Sequence, residues 1–225
     1  MNFDKILQTF NTNMTPEEIA AHDAEMDAII KAQEEREAKE RYRTSGAPER
    51  YWAESVDTYK AETEMQKKAL NGARAYIDAV KCGQFKSFVM IGNAGTGKTH
   101  LACGIVRACG GEYRTAPDIV EELRRAKSFN ATETEAQILR HYGHVSLLVL
   151  DEIGRGINPT DEKYMLYQIL NARYNTRRPT VLISNHTKAE FLQYIGVAAA
   201  DRLVESGDIL EMNGESFRLN LRAQK

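Results

Sequence analysis

The sequence predicts an α/β protein in which a parallel sheet lies between two layers of helices, with a helical extension in front of it. Three observations carry that expectation. From about residue 48 onward, short apolar runs alternate with amphipathic segments, the pattern of βαβ units. A glycine-rich run, Gly92-Asn93-Ala94-Gly95-Thr96-Gly97-Lys98-Thr99, sits directly between one such strand and one such helix. A second apolar run, Leu147-Leu148-Val149-Leu150, ends abruptly on two acids, Asp151 and Glu152.

Taken in order, the chain begins with a segment rich in Glu, Ala, Lys and Arg. Thr15-Pro16-Glu17-Glu18 supplies an N-cap hydroxyl, a proline at the first helical position and a glutamate at the third, so a helix is expected from there to about Arg43. Its apolar stripe, Ile19, Met26, Ile29 and Ile30, is too narrow to make a core alone. It belongs either to a solvated or back-packed helix or to one that docks on another protein. Thr44-Ser45-Gly46-Ala47-Pro48 reads as a linker, which separates a region 1–47 from a domain 48–225. A helix is then expected from about Glu62 to Lys81. Strands are expected at Ser87 to Ile91, Glu112 to Thr115, Val145 to Leu150, Thr180 to Ser184 and Asp208 to Glu211.

The glycine-rich run fits G-x-x-x-x-G-K-[ST]. Its glycines let backbone N–H groups turn inward around phosphates, and the positive end of the following helix adds to that field. Lys98 supplies a point charge, and Thr99 a hydroxyl for Mg²⁺. These features point to ATP as ligand, with ADP as its product. Asp151 is expected to serve the metal and Glu152 to polarise a water that attacks the γ-phosphate. A kinase, whose nucleophile is its substrate, could do without Glu152. Asn185 follows the apolar strand Val181 to Ser184 and is placed to hold that water.

With 225 residues and a formal charge of −2, the chain has no global basic field, so any contact with DNA must come from a local patch. Cys82, Cys103 and Cys109 lack the paired spacings of a zinc or redox site. No apolar run approaches the roughly 18 residues of a membrane span, and the first residues lack the layout of a secretory signal. A cytoplasmic protein is expected.

The lead-in Gln66-Lys67-Lys68-Ala69-Leu70, the loop with His100-Leu101-Ala102 after it, Leu148 to Gly154, and Ile183-Ser184-Asn185 together resemble AAA+ ATPases of the DnaC-type helicase loader and IstB-type groups. The resemblance spans about Pro48 to Leu221. It implies a P-loop NTPase sheet of order 5-1-4-3-2, Asn185 as polar sensor, Arg202 as an arginine reaching a neighbouring subunit's ATP, and Arg218, in Glu215-Ser216-Phe217-Arg218, as a second sensor. It also implies self-association through the ATPase domains and a replicative DNA helicase as the partner of the N-terminal region. One segment departs from the pattern: Gly196-Val197-Ala198-Ala199-Ala200-Asp201-Arg202 lacks the acid and the first arginine that loaders carry there.

Arg124, Arg125, Lys127 and Phe129 follow the second strand, where loader-type proteins carry a helix facing single-stranded DNA. They offer phosphate contacts and one stacking surface, while Glu121 and Glu122 favour an ordinary solvated helix. Tyr51, Trp52 and Tyr59 either line the adenine site or pack between the linker and the core. The expectation is a bacterial or phage helicase loader with slow ATPase activity. Its rivals are an IstB-like regulator of a transposase, a small-molecule P-loop kinase and a non-hydrolysing ATP sensor.

Overall fold

The computed structural model describes residues 15–217. The chain divides into two compact units, 1–40 and 41–225, ahead of the 47/48 boundary suggested by composition. The described part of the first unit is helical, within α1 (Pro16–Thr44). Gln33 and Glu37 form an i,i+4 hydrogen bond there. Ile19, Met26, Ile29 and Ile30 are all exposed.

In the second unit, α2 (Glu64–Lys81) starts two residues later than expected. The reason is a capping box: Thr63 accepts from the backbone N–H of Gln66, whose side chain accepts in return from the N–H of Thr63. Next come β1 (Ser87–Ile91), α3 (Lys98–Cys109), β2 (Glu112–Thr115), α4 (Ala116–Arg125) and α5 (Glu135–His144). They are followed by β3 (Leu148–Ile153), α6 (Pro159–Asn175), β4 (Thr180–Ser184), α7 (Lys188–Ile195), α8 (Val197–Ser206) and β5 (Gly207–Glu211).

All strand pairs are parallel, and the order β2-β3-β4-β1-β5 is the expected 5-1-4-3-2 read from the other edge. Side chains alternate between two cores. Phe88, Met90, Val149 and Val181 pack with Ala73 and Tyr76 of α2 and Leu101 and Ile105 of α3. Val89, Ile91, Leu148, Leu150 and Leu182 pack with Ile119, Met165, Ile169, Phe191 and Leu203. Covering both faces is what makes the inner strands β1 and β4 read as unbroken apolar runs.

Two expectations are corrected. The third strand is displaced by three residues from the anticipated Val145 to Leu150, because the N–H of Val145 closes α5 on His141 and the strand continues through both acids. The segment 44–48 is not a free linker. Ser45 and Ala47 are buried, and the Ser45 carbonyl accepts from the Tyr113 N–H (2.9 Å) and the Arg114 guanidinium (3.0 Å) on the open edge of β2.

At the amino end of the sheet, Arg173 is 1% exposed. Its guanidinium donates to the carbonyls of Tyr142 (2.7 Å), Val145 (3.0 Å) and Pro179 (2.6 Å) and to Thr180 Oγ1 (2.8 Å). Burial lowers its pKa to about 10, so it stays charged at neutral pH. One side chain thus ties the end of α5 to the start of β4. Arg173→Met should lower the unfolding free energy by roughly 3 kcal/mol or more, since one buried and two part-buried carbonyls lose their donor. Urea denaturation measures this, and a loss below about 1 kcal/mol would show that water or neighbouring groups replace the guanidinium.

Candidate functional site

The loop joining β1 to α3 closes over its own lysine. Lys98 is buried, and its ammonium donates to the carbonyls of Gly92 (2.7 Å) and Asn93 (2.6 Å). Gly97 has a positive φ of 94° and lies against the ring of Tyr59, so neither the backbone nor the space admits a larger residue. The Tyr59 hydroxyl donates to the Thr96 carbonyl at 2.9 Å and sets the height of the loop.

Beside Lys98, the Thr99 hydroxyl donates to Asp151 Oδ2 at 2.8 Å. The same oxygen accepts from the Tyr113 phenol at 2.7 Å, and Oδ1 accepts from the backbone N–H of Glu152 at 2.6 Å. Burial, and then the charge of Asp151, raise the pKa of Tyr113, which keeps the phenol protonated and donating. A hydroxyl and a carboxylate oxygen at one point are hard donors and suit Mg²⁺. Among the described residues, no group of three or more His, Cys, Asp or Glu is gathered to hold a metal ion.

Glu152 departs from the regular strand. Between β3 and β4 the register advances three residues on one strand and two on the other, from Leu150↔Leu182 to Ile153↔Ser184. Within that bulge Glu152 has φ 58°, in the left-handed region, and its side chain is exposed, 3.9 Å from Arg155. Asn185, just past the carboxyl end of β4, borders the same cavity. That cavity, about 640 Å³, is lined by Ala94, Gly95, Thr96, Gly97, Lys98, Thr99, Asp151 and Glu152, with Tyr51 and Tyr59 on another wall.

Not every residue singled out from the sequence meets here. His100 borders the cavity, but its ring bonds the Ser55 carbonyl (2.9 Å) and Thr58 Oγ1 (3.2 Å), bracing residues 54–59 on α3. Trp52 packs on the core and donates to the Ala47 carbonyl. Arg202 lies with Ser87 and Thr180 at the amino ends of β1 and β4, the opposite edge of the sheet, where it rests on the ring of Tyr174 at 5.5 Å. Arg218 falls outside the described residues. Arg124 and Arg125 pair with Glu121, and Lys127 with Glu135, while Phe129 is fully exposed. The Cys103 thiol is pushed up to about 12 by burial and the nearby Asp151 charge, which makes it unreactive.

Three contributions were missed by sequence reasoning. Tyr113 carries no motif and reaches Asp151 only because β2 pairs with β3. Glu162 reads as an ordinary acid in the first turn of a helix but is fully buried. The segment after β5 lies along the phosphate loop: Asn93 bonds the Met212 and Gly214 carbonyls, and the Phe217 N–H donates to the Gly95 carbonyl at 3.0 Å.

Comparison with known proteins agrees with this geometry. Residues 7–225 match the family described as IstB-like ATP binding protein. The replicative helicase loader DnaC of Escherichia coli (strain K12) is 34% identical over 215 residues, covering 91% of this chain and 87% of the relative. A crystal structure of the DnaC helicase loader superposes with a TM-score of 0.65 at 22% identity, covering 74% of this chain and 100% of that one. The replication initiator DnaA bound to AMPPCP and single-stranded DNA gives a TM-score of 0.58 at 19% identity, covering 79% of this chain and 55% of that one. On these grounds the chain belongs to the IstB-like ATP-binding protein family and has the AAA+ P-loop fold.

Proposed function

We propose that this chain is an ATP-hydrolysing loader that delivers a replicative DNA helicase to single-stranded DNA. For the chemistry, the supporting observation is the 2.8 Å contact between Thr99 and Asp151, followed at once by a glutamate turned out of the strand into the same cavity. For the partner, support comes from the 34% identity with the Escherichia coli helicase loader across most of both chains.

In this reading the loop N–H groups and the Lys98 ammonium receive the β- and γ-phosphates of ATP. Thr99 and Asp151 would hold Mg²⁺, which would offset the negative charge of the phosphates. Glu152 takes the proton of the attacking water and Asn185 orients that water. Arg202 faces away from its own site and serves the triphosphate of a neighbouring copy, so an isolated chain turns over slowly. Arg218 keeps the second-sensor role that the resemblance assigns it. Residues 1–47 grip the helicase, and their exposed Ile19, Met26, Ile29 and Ile30 suit an apolar groove on it. Phe129 offers a base-stacking surface, with Arg124, Arg125 and Lys127 beside it to meet phosphates once they exchange their carboxylate partners.

The IstB-type resemblance carries a second reading, an ATPase that regulates a transposase, and the match to the IstB-like ATP binding protein family is compatible with it. It shares the chemistry and differs in partner.

Two outcomes are expected. Glu152→Gln should bind ATP as the parent does while turnover falls by about 100-fold or more, the contribution of a positioned base; equal turnover would remove Glu152 from that role. The full chain should capture a replicative helicase in a pull-down, and Met26→Asp with Ile29→Asp should abolish capture without changing ATP affinity. Capture of a transposase and no helicase would favour the second reading.

A further inference from the structure

The left-handed backbone of Glu152 calls for a restraint. A non-glycine residue at φ 58° costs on the order of 1 kcal/mol and persists only where its surroundings over-determine it. On its carboxyl side the chain turns through Gly154, at φ 86°, and this turn is held by a side chain that the hydrolytic scheme above does not use.

That side chain is Glu162, in the first turn of α6 and 0% exposed. Its Oε1 accepts from the Gly154 N–H at 2.6 Å, and its Oε2 accepts from the Gly156 N–H at 3.0 Å. Two further contacts close the turn: Ser184 Oγ donates to the Ile153 carbonyl at 2.7 Å, and the Arg155 N–H to the Glu152 carbonyl at 3.1 Å. A buried carboxylate is costly unless it is hydrogen-bonded. Here each oxygen meets one backbone donor, and both donors lie within four residues of Glu152.

We propose that Glu162 is a positioning residue for Glu152. By clamping the Gly154–Gly156 turn it holds the Glu152 backbone in its left-handed conformation and so aims that carboxylate into the nucleotide cavity. The proposal rests on the reading of Glu152 as the base. It adds that the aim of the base is set from α6, outside the nucleotide-binding motifs. The chemistry requires a carboxylate: a glutamine keeps one acceptor and turns an amide N–H₂ toward the second donor.

The test uses the full chain and compares the parent with Glu162→Gln, Glu162→Asp and Glu152→Gln. Turnover, KM and the nucleotide dissociation constant are measured for each. Glu162→Gln is expected to lower kcat about tenfold or more with nucleotide affinity held within about twofold, since displacing a catalytic group by about 1 Å can cost 100-fold. Glu162→Asp keeps both acceptor oxygens on a shorter arm and should lose less, which provides a readout should the glutamine variant not fold. Adding Glu162→Gln to Glu152→Gln should cause no further loss, because the two substitutions act through one group. Turnover within twofold of the parent in both Glu162 variants, with Glu152→Gln slow, would overturn the proposal and leave the base assignment standing. Loss of nucleotide affinity in step with kcat would also overturn it, by showing general disruption of the site. Parent-like turnover in Glu152→Gln would instead remove the base assignment on which the proposal rests.

Discussion

Both oxygens of the Asp151 carboxylate are engaged, and each contact ties a different part of the chain to the mouth of the sheet. The Thr99 hydroxyl brings in the phosphate loop, the Tyr113 phenol brings in β2, and the Glu152 N–H fixes the turn that follows. The carboxylate is 4% exposed, so these bonds operate in a medium that screens charge weakly. Removing Asp151 would therefore unfasten several elements at once.

The placement of the two acids follows from the sheet itself. A parallel sheet covered on both faces excludes charge from its middle, and the carboxyl ends of its strands are where the chain leaves the core and ligands collect. Asp151 is still in register, opposite Thr115 of β2. Glu152 is the extra residue of a bulge, so adjacent carboxylates face different surroundings, one buried and bonded and the other exposed. That separation suits one acid to a metal and its neighbour to a proton.

Much of this was legible in the sequence, and the gaps share a cause. The phosphate loop announces itself because its turns demand glycine at fixed spacing and its helix begins on Lys98. Strands β1 and β4 lie on their apolar runs, and β2 occupies the expected Glu112 to Thr115. Strand β3 was misplaced because Val145 looks like a strand residue but ends a helix, and because acids were taken to stop a strand that in fact carries them. Arg173, Tyr113 and Glu162 could not be read at all. Their partners are backbone groups, a threonine hydroxyl or a carboxylate brought near by folding, up to 38 residues away in the case of Tyr113. Segment 44–48 has the composition of a linker, and its bonding to the open edge of β2 is what the composition does not show: Ser45 and Ala47 within it are buried.

The central claim is that Asp151, with Thr99, holds the metal that accompanies the nucleotide. The most direct measurement is calorimetric titration of ATP with and without Mg²⁺, on the parent and on Asp151→Asn. Affinity in the parent should drop about tenfold or more when Mg²⁺ is withdrawn, and the variant should show almost no such difference. An Asp151→Asn protein that keeps the parent's full response to Mg²⁺ would contradict the account.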